Sequence, residues 1–311
     1  MRPAVLWPKY PDTTRSERRC LMTIAVGADY RWMFDHTLPR LRAWAESMGA
    51  AFLCVDDDWW SGEHPCHLKQ IINTLWWRYD RVLYCDSDVL VMPGAPNMFD
   101  VVPPGRCGAH ATDNKAEARR VNELYLEAYN AAMVERGLDP VAVPPQFMDR
   151  HYNAGVFLCD RDSNPHVPPP GDIMQLPCTT HYDQAFFNLI INSRDLPMFD
   201  LPKAWNFSVR TAKNRTARNI AAQCFLAHYV SGKTKAMIPE HAKATLYTPA
   251  ATSTQTAAPT GPAPYHVRFI PSCKRPWILE RMADHIRSHA PAHVTCSVGP
   301  IMDAQRTINY G

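Results

Sequence analysis

The segment VLYCDSDVLVM, residues 82–92, carries two carboxylates two positions apart, Asp86 and Asp88, with apolar residues on both sides. In an extended strand, residues i and i+2 share a face. At the end of a buried strand both carboxylates can therefore converge on one hard cation. Carboxylate oxygens suit Mn2+ or Mg2+, which bridge a protein to substrate phosphates. The plainer alternative is a polar strand end before a turn at Pro93–Gly94. The flanking apolar runs weigh against it, because charges held against a core are costly unless a metal or partner compensates them. A second acidic run, Asp56, Asp57 and Asp58, follows the apolar stretch AFLCV and leads into Trp59, Trp60, Ser61 and Gly62. It reads as a solvated or substrate-facing strand end.

The elements that position Asp86 and Asp88 follow from periodicity. Residues 21–28 read as a buried strand ending in small residues, 33–48 as a helix in which Pro39 implies a kink or late start, and 51–55 as a second strand. Residues 66–78 look helical and 81–85 form a third strand. Strand, helix, strand, helix, strand is the signature of a parallel sheet covered by helices, with ligand sites beyond the carboxyl ends of its strands. Further on, a charged helix is expected over 114–136 and a strand over 154–159. A Pro-rich loop spans 165–171, followed by a helix over 181–192 and a late strand over 224–230. Composition then changes. Residues 247–264 form a Thr/Ala/Pro-rich linker with no apolar face to bury, and 265–311 supply one partial βαβ unit that could open a second domain. The expected domains are thus 1–246, the linker and that unit.

Composition bounds the function. The chain has 311 residues, 46% of them apolar, which suffices for a globular core. A net charge of +3 does not suggest nucleic acid as a partner. No apolar stretch reaches the roughly 20 residues of a transmembrane helix, and the polar N-terminus does not read as a signal peptide. None of the ten cysteines falls in a Cys-x-x-Cys pair, so a zinc site is not expected; several lie in apolar runs as packed thiols. A reducing compartment, hence a cytoplasmic location, is the expectation.

The segment YDRVLYCDSDVLV resembles the metal-binding segment of GT-A-fold glycosyltransferases, closest to the glycogenin-like glycosyltransferase family 8. Further segments in the family's order support the resemblance: Lys69, YNAGVFL at 152–158, HYDQAFFN at 181–188, LPKAWNF at 201–207 and HYVSGKTK at 228–235. Together they span about residues 20–240. The resemblance implies an α/β, Rossmann-like GT-A mixed sheet flanked by helices. It also implies transfer of a hexose from a nucleotide-diphosphate donor, a UDP-hexose, with retention of configuration. Asp86, Asp88 and His228 would hold Mn2+ (or Mg2+) on the donor diphosphate, and Lys235, with Lys233 nearby, would reach the phosphates. Lys69 would touch donor sugar or phosphate, Asn153 and Gly155 would lie near the sugar, and Asp183 and Gln184 would line it as candidate catalytic groups. Tyr30 or Trp32 would stack on the base.

Each residue has a plainer reading: a core histidine for His228, a surface lysine for Lys69, a turn for Asn153 and Gly155, a helix cap for Asp183 and Gln184, core packing for Trp32. The family's His-x-x-Gly-x-x-Lys-Pro-Trp pattern is altered here to His228-Tyr-Val-Ser-Gly232-Lys-Thr-Lys235-Ala-Met, with one extra residue and no Pro-Trp. That departure leaves a non-catalytic nucleotide-sugar-binding module open. A haloacid-dehalogenase-type phosphatase also uses Asp-x-Asp after a strand, but Leu90 stands where that family wants Thr or Val, and two strands precede the motif here. The acceptor, whether glycan, lipid-linked or protein, has no readable code in the sequence.

Overall fold

The computed structural model describes residues 17–57, 65–76, 78–166 and 183–245, and the strands at 265–269 and 294–298. The linker, the helix of the expected βαβ unit (274–289), Asp58 to Gly62 and residues 167–182 lie outside them. The elements in chain order are β1 (Arg19–Ile24), α1 (Arg31–Ser47), β2 (Ala51–Val55), β3 (Arg81–Cys85), β4 (Val89–Val91), α2 (Met98–Val101), β5 (Cys107–Ala111) and α3 (Lys115–Glu135). They continue with β6 (Tyr152–Asp160), α4 (Asp183–Ser193), β7 (Met198–Asp200), β8 (Phe207–Ser208), α5 (Ala217–Ala221), β9 (Leu226–His228), α6 (Gly232–Lys235) and α7 (Ile238–Ala244). The last two are β10 (Tyr265–Phe269) and β11 (Val294–Val298).

The main sheet has the order β2-β1-β3-β6-β5-β7. Strands β2, β1 and β3 are parallel, as expected from the opening strand–helix alternation. Strand β6 then runs antiparallel between β3 and β5, which makes the sheet mixed. Side chains alternate across β3. Val82 and Tyr84 face a core with Leu68, Ile72, Phe157 and Phe187, while Leu83 and Cys85 face one with Leu41, Trp44, Met98 and Trp205. Helices therefore cover both faces of a central strand that is buried along its whole length. This is the α/β, GT-A-like layering that the resemblance implies. Strands β10 and β11 pair in parallel, Tyr265 opposite Val294. Among the described residues no helix is long and apolar enough to cross a membrane.

Several local expectations change. Helix α1 starts at Arg31 and runs through Pro39, so there is no late start. The helical stretch expected over 66–78 is a 3₁₀ helix, Pro65–Thr74. Its end is drawn tight by local competition: Asn73 Nδ2 donates to the Gln70 carbonyl (3.0 Å) and Thr74 Oγ1 to that of Ile71 (2.7 Å). The late strand shortens to Leu226–His228 in β9, which joins β4 and β8 in a small second sheet.

His166 packs its ring between Phe157 and Phe187, with centroids 5.0 and 5.4 Å away. Its Nε2 has no hydrogen-bond partner among the described residues. Burial pushes this imidazole down to about 3 from its ordinary 6.5. Above pH 6.5 both folded and unfolded states are neutral there. Below it only the unfolded chain takes the proton, so stability is lost as pH falls from 6.5 towards 3. His166→Phe keeps the ring packing and removes that proton. Urea unfolding between pH 6.5 and 4.5 should show a shallower loss of stability in the variant, by up to about 1.4 kcal/mol per pH unit. Identical slopes would show that His166 is protonated equally in both states.

Candidate metal and donor site

The site is built by strand register. Strand β3 delivers Asp86 at its carboxyl end, where the Asp86 N–H donates to the Gly155 carbonyl of β6 at 2.7 Å. The chain then leaves the main sheet as β4, which pairs antiparallel with β9 so that Val89 lies opposite His228. The Tyr229 N–H donates to the Asp88 carbonyl at 3.1 Å and fixes that register beside the carboxylate. Two three-residue strands thus bring His228 to a motif far earlier in the chain. Asp86, Asp88 and His228 each offer a ligand atom, and the three atoms lie within 4.8 Å of one another.

The orientation of His228 is set by a chain of hydrogen bonds that starts from a backbone donor. The Gly155 N–H donates to Asn153 Oδ1 at 2.8 Å, so that oxygen is an acceptor, and Asn206 Nδ2 donates to it at 2.8 Å. Asn206 Oδ1 is then free to accept from His228 Nδ1 at 2.8 Å. The other ring nitrogen, Nε2, points at Asp88 Oδ1 (3.1 Å) and Asp86 Oδ2 (3.6 Å). Asp88 Oδ1 is itself buried without a hydrogen-bond donor. An imidazole lone pair and two carboxylate oxygens facing one point require a cation there, either a proton on Nε2 or a metal ion. The residues fit a hard divalent metal.

Two lysines complete the electrostatics. Lys235 Nζ lies 3.0 Å from Asp88 Oδ2 and 5.3 Å from the Tyr30 ring centroid. Lys69, expected to be a surface residue unless it touched the donor, is instead 3% exposed. Its Nζ is held by Asp183 Oδ2 (2.8 Å), Asp86 Oδ1 (3.3 Å) and the Ala154 carbonyl (2.9 Å). Burial alone would push the Lys69 ammonium down, but Asp183 and Asp86 reverse this and hold it well above its ordinary value. At Asp88 burial acts to raise the carboxyl, and His228 and Lys235 outweigh it, holding it at about 2. Burial raises Asp86 despite the opposing pull of Lys69, with Asp88 adding to the rise. For His228 burial acts downward, and Asp88 and Asp86 turn the net shift upward.

The expected site residues therefore fall into groups. Asp86, Asp88, His228, Lys235 and Tyr30 meet at one mouth, with Tyr30 48% exposed. Trp32 is 41% exposed, so core packing is not its role. Lys69 and Asp183 lie beneath the carboxylates. Gln184 sits beside β6 and accepts from the Ala154 N–H at 3.3 Å. Asn153 holds Asn206 rather than presenting its oxygen to the outside. Lys233 is exposed and Lys235 is the one that reaches Asp88. In the second acidic run, Asp57 accepts from the Gly27 N–H (2.6 Å) and pairs with Arg31 (2.8 Å), securing the turn after β1. Three contributors were unread in the sequence. Asn206 lies inside LPKAWNF, Tyr84 donates to Asp86 Oδ1 at 2.7 Å from the same strand face, and Cys66, one 3₁₀ turn before Lys69, faces Asp183, its thiol pushed up first by burial and then by that carboxylate.

No family model matches this chain, and no curated protein matches it. Among solved structures it is similar to a glycosyltransferase involved in the glycosylation of the major capsid of PBCV-1, at 13% identity over 73% of this chain and 100% of that one, with a TM-score of 0.47. It is also similar to galactosyltransferase LgtC in complex with donor and acceptor sugar analogues, at 13% identity over 74% and 97%, TM-score 0.46. A third is the glycosyltransferase GlyE of Streptococcus pneumoniae TIGR4, at 14% identity over 91% and 74%, TM-score 0.45. These likenesses concern the course of the backbone, and the reading of the site rests on this chain's own side chains.

Gly155 has a use the sequence did not show. A Cβ there would lie 2.4 Å from His228 Cε1, 2.6 Å from Asp86 Oδ2 and 2.9 Å from Asn153 Oδ1. Glycine is needed for the approach of the protein's own ligands, not of a sugar alone. Gly155→Ala should lower the unfolding free energy by about 1–3 kcal/mol, the usual cost of forcing a methyl into a packed site. Urea denaturation measures it, and an unchanged midpoint would mean the cluster is looser than these distances.

Proposed function

We propose that this chain is a metal-dependent glycosyltransferase that moves a hexose from a nucleoside-diphosphate donor, a UDP-hexose, to a glycan, lipid-linked or protein acceptor. The observation that carries this reading is the convergence of Asp86, Asp88 and His228, with Nε2 turned inward by Asn206. In this reading the three residues hold Mn2+ or Mg2+. Such an ion, when bound, acts as a Lewis acid for the departing nucleoside diphosphate. The order of the family-like segments around this cluster supports the same class.

The other residues take roles that their positions suggest. Lys235 is paired with Asp88 and is also within reach of the mouth, so its ammonium can transfer to a diphosphate oxygen as a point charge. Tyr30, exposed beside it, offers a ring for the base. Lys69 neutralises Asp86 and Asp183 from below, which allows three acidic groups to share a small volume. Gln184 and Asp183 flank the sugar at the start of α4. Retention of configuration is part of the proposal through the family resemblance. His228 in its metal-binding form is neutral at Nε2, so binding of the ion displaces a proton below its raised pKa.

The test combines metal removal with one substitution. UDP-hexose hydrolysis or transfer should require a divalent ion, Mn2+ best, and stop in excess EDTA. His228→Ala should lose on the order of a hundredfold or more in rate, with circular dichroism checking that removal of this buried side chain leaves the fold intact. His36→Ala, on α1, should change little. Full turnover in EDTA, or a normal rate with unchanged Mn2+ dependence in His228→Ala, would overturn the assignment.

A further inference from the structure

A second amide–histidine chain, separate from the one that turns His228, ends on Gln184. It too starts from backbone groups whose roles are fixed. Asn122 Nδ2 donates to two carbonyls, those of Met148 and Arg150, each at 2.8 Å. Asn122 Oδ1 is therefore the acceptor, and His151 Nδ1, 2.9 Å away, is the donor. That leaves the lone pair of the neutral imidazole on Nε2, which faces Gln184 Nε2 at 2.9 Å. The Gln184 amide nitrogen must donate to it. The other end of the same carboxamide agrees, since Gln184 Oε1 accepts from the Ala154 N–H. Every direction is set by a peptide group, and the carboxamide has one orientation that satisfies both ends.

The surroundings hold this arrangement. His151 and Asn122 are buried. Helix α4 is fixed to β6 by Asn188, which accepts from the Tyr152 N–H (2.6 Å) and donates to the Tyr152 carbonyl (2.9 Å). Asn192 donates to the Arg150 carbonyl at 3.0 Å. Gln184, Asn188 and Asn192 recur every four residues, so one stripe of α4 presents amides to β6 and its approach.

We infer that His151, held in its Nδ1–H form by Asn122, is a positioning residue that fixes which end of the Gln184 carboxamide faces the reaction. This rests on the glycosyltransferase reading above. Glycosyl transfer passes through a transition state with positive charge on the sugar ring. The amide oxygen, held on the Ala154 N–H side, favours that charge, whereas a flipped amide would present N–H groups and oppose it. A single fixed orientation supplies the favourable dipole without reorganisation during reaction. His151 does not touch the substrate; it acts through Gln184.

The experiment compares His151→Gln, whose carboxamide can donate to Asn122 and accept from Gln184, with His151→Phe and His151→Met, which fill the space without a strong acceptor. Mn2+-dependent turnover of UDP-glucose and UDP-galactose, thermal midpoint and Mn2+ affinity are measured on the full chain, alongside Gln184→Leu. Phe and Met at 151 should lower kcat about tenfold, with the donor KM and Mn2+ affinity within twofold, and Gln should restore most of kcat. In the Gln184→Leu background His151→Met should have no further effect. If Gln184→Leu loses activity but Met and Gln at 151 turn over equally fast, the positioning role is overturned. Parallel loss of Mn2+ affinity or fold in the Met variant would likewise overturn it in favour of a structural role. If Gln184→Leu has the wild-type rate, the failure lies in placing Gln184 in the reaction. If no donor is turned over with Mn2+, it lies in the glycosyltransferase reading itself.

Discussion

Three electron-rich groups, two carboxylates and one imidazole nitrogen, are forced to face a single point, and most of the surrounding structure compensates for that. Left alone, Asp86 and Asp88 would repel, and burial would drive at least one of them to protonate. Lys69 answers from below and Lys235 from the rim. Asp183 shares Lys69, which ties the start of helix α4 to Asp86 at the end of β3. Gly155 is small so that His228 and Asp86 can close in, and the Asn153–Asn206 chain selects the ring nitrogen that takes part. Charge, register and side-chain volume are all set by the same requirement for a cation at the centre.

The sheet serves that requirement in a specific way. The parallel trio β2-β1-β3 delivers loops at its carboxyl ends, as open α/β sheets do. The motif strand is then split: β3 stays in the main sheet and β4 crosses to the small one. Asp86 and Asp88 lie at the split, so one carboxylate is set by pairing with β6 and the other by pairing with β9. A cation held here would link the two sheets.

Much of this was legible and some was not, for identifiable reasons. Strands β2 and β3 were read to the residue because each is a compact apolar run between polar ends. The Asp-x-Asp pair declared itself by alternation. Strand β5, CGAHA, was missed because small residues carry no alternation signal, β4, β7 and β8 are too short to show a period, and β9 was read with bounds two residues too long at each end. Register between such strands is invisible in one sequence, so His228 could be linked to Asp86 and Asp88 only through the family resemblance. The burial of Lys69 was not legible, because an isolated lysine is by default solvated; it depends on two carboxylates, Asp86 and Asp183, the latter far along the chain. The four-residue spacing of Gln184, Asn188 and Asn192 was present in the sequence and marks a buried polar stripe, yet amides also cap helices and suit surfaces, so the spacing acquires meaning only with β6 in place.

The account's central claim is that Asp86, Asp88 and His228 Nε2 surround one cation. It is tested most directly by anomalous diffraction from crystals grown with Mn2+ and UDP, recorded on both sides of the manganese absorption edge. The expected result is one strong anomalous peak at roughly 2.0–2.3 Å from a carboxylate oxygen of each aspartate and from His228 Nε2, ordinary bond lengths for such ligands. A peak elsewhere in the chain, or Mn2+ bound without His228 while its Nε2 stays paired to Asp88, would contradict it.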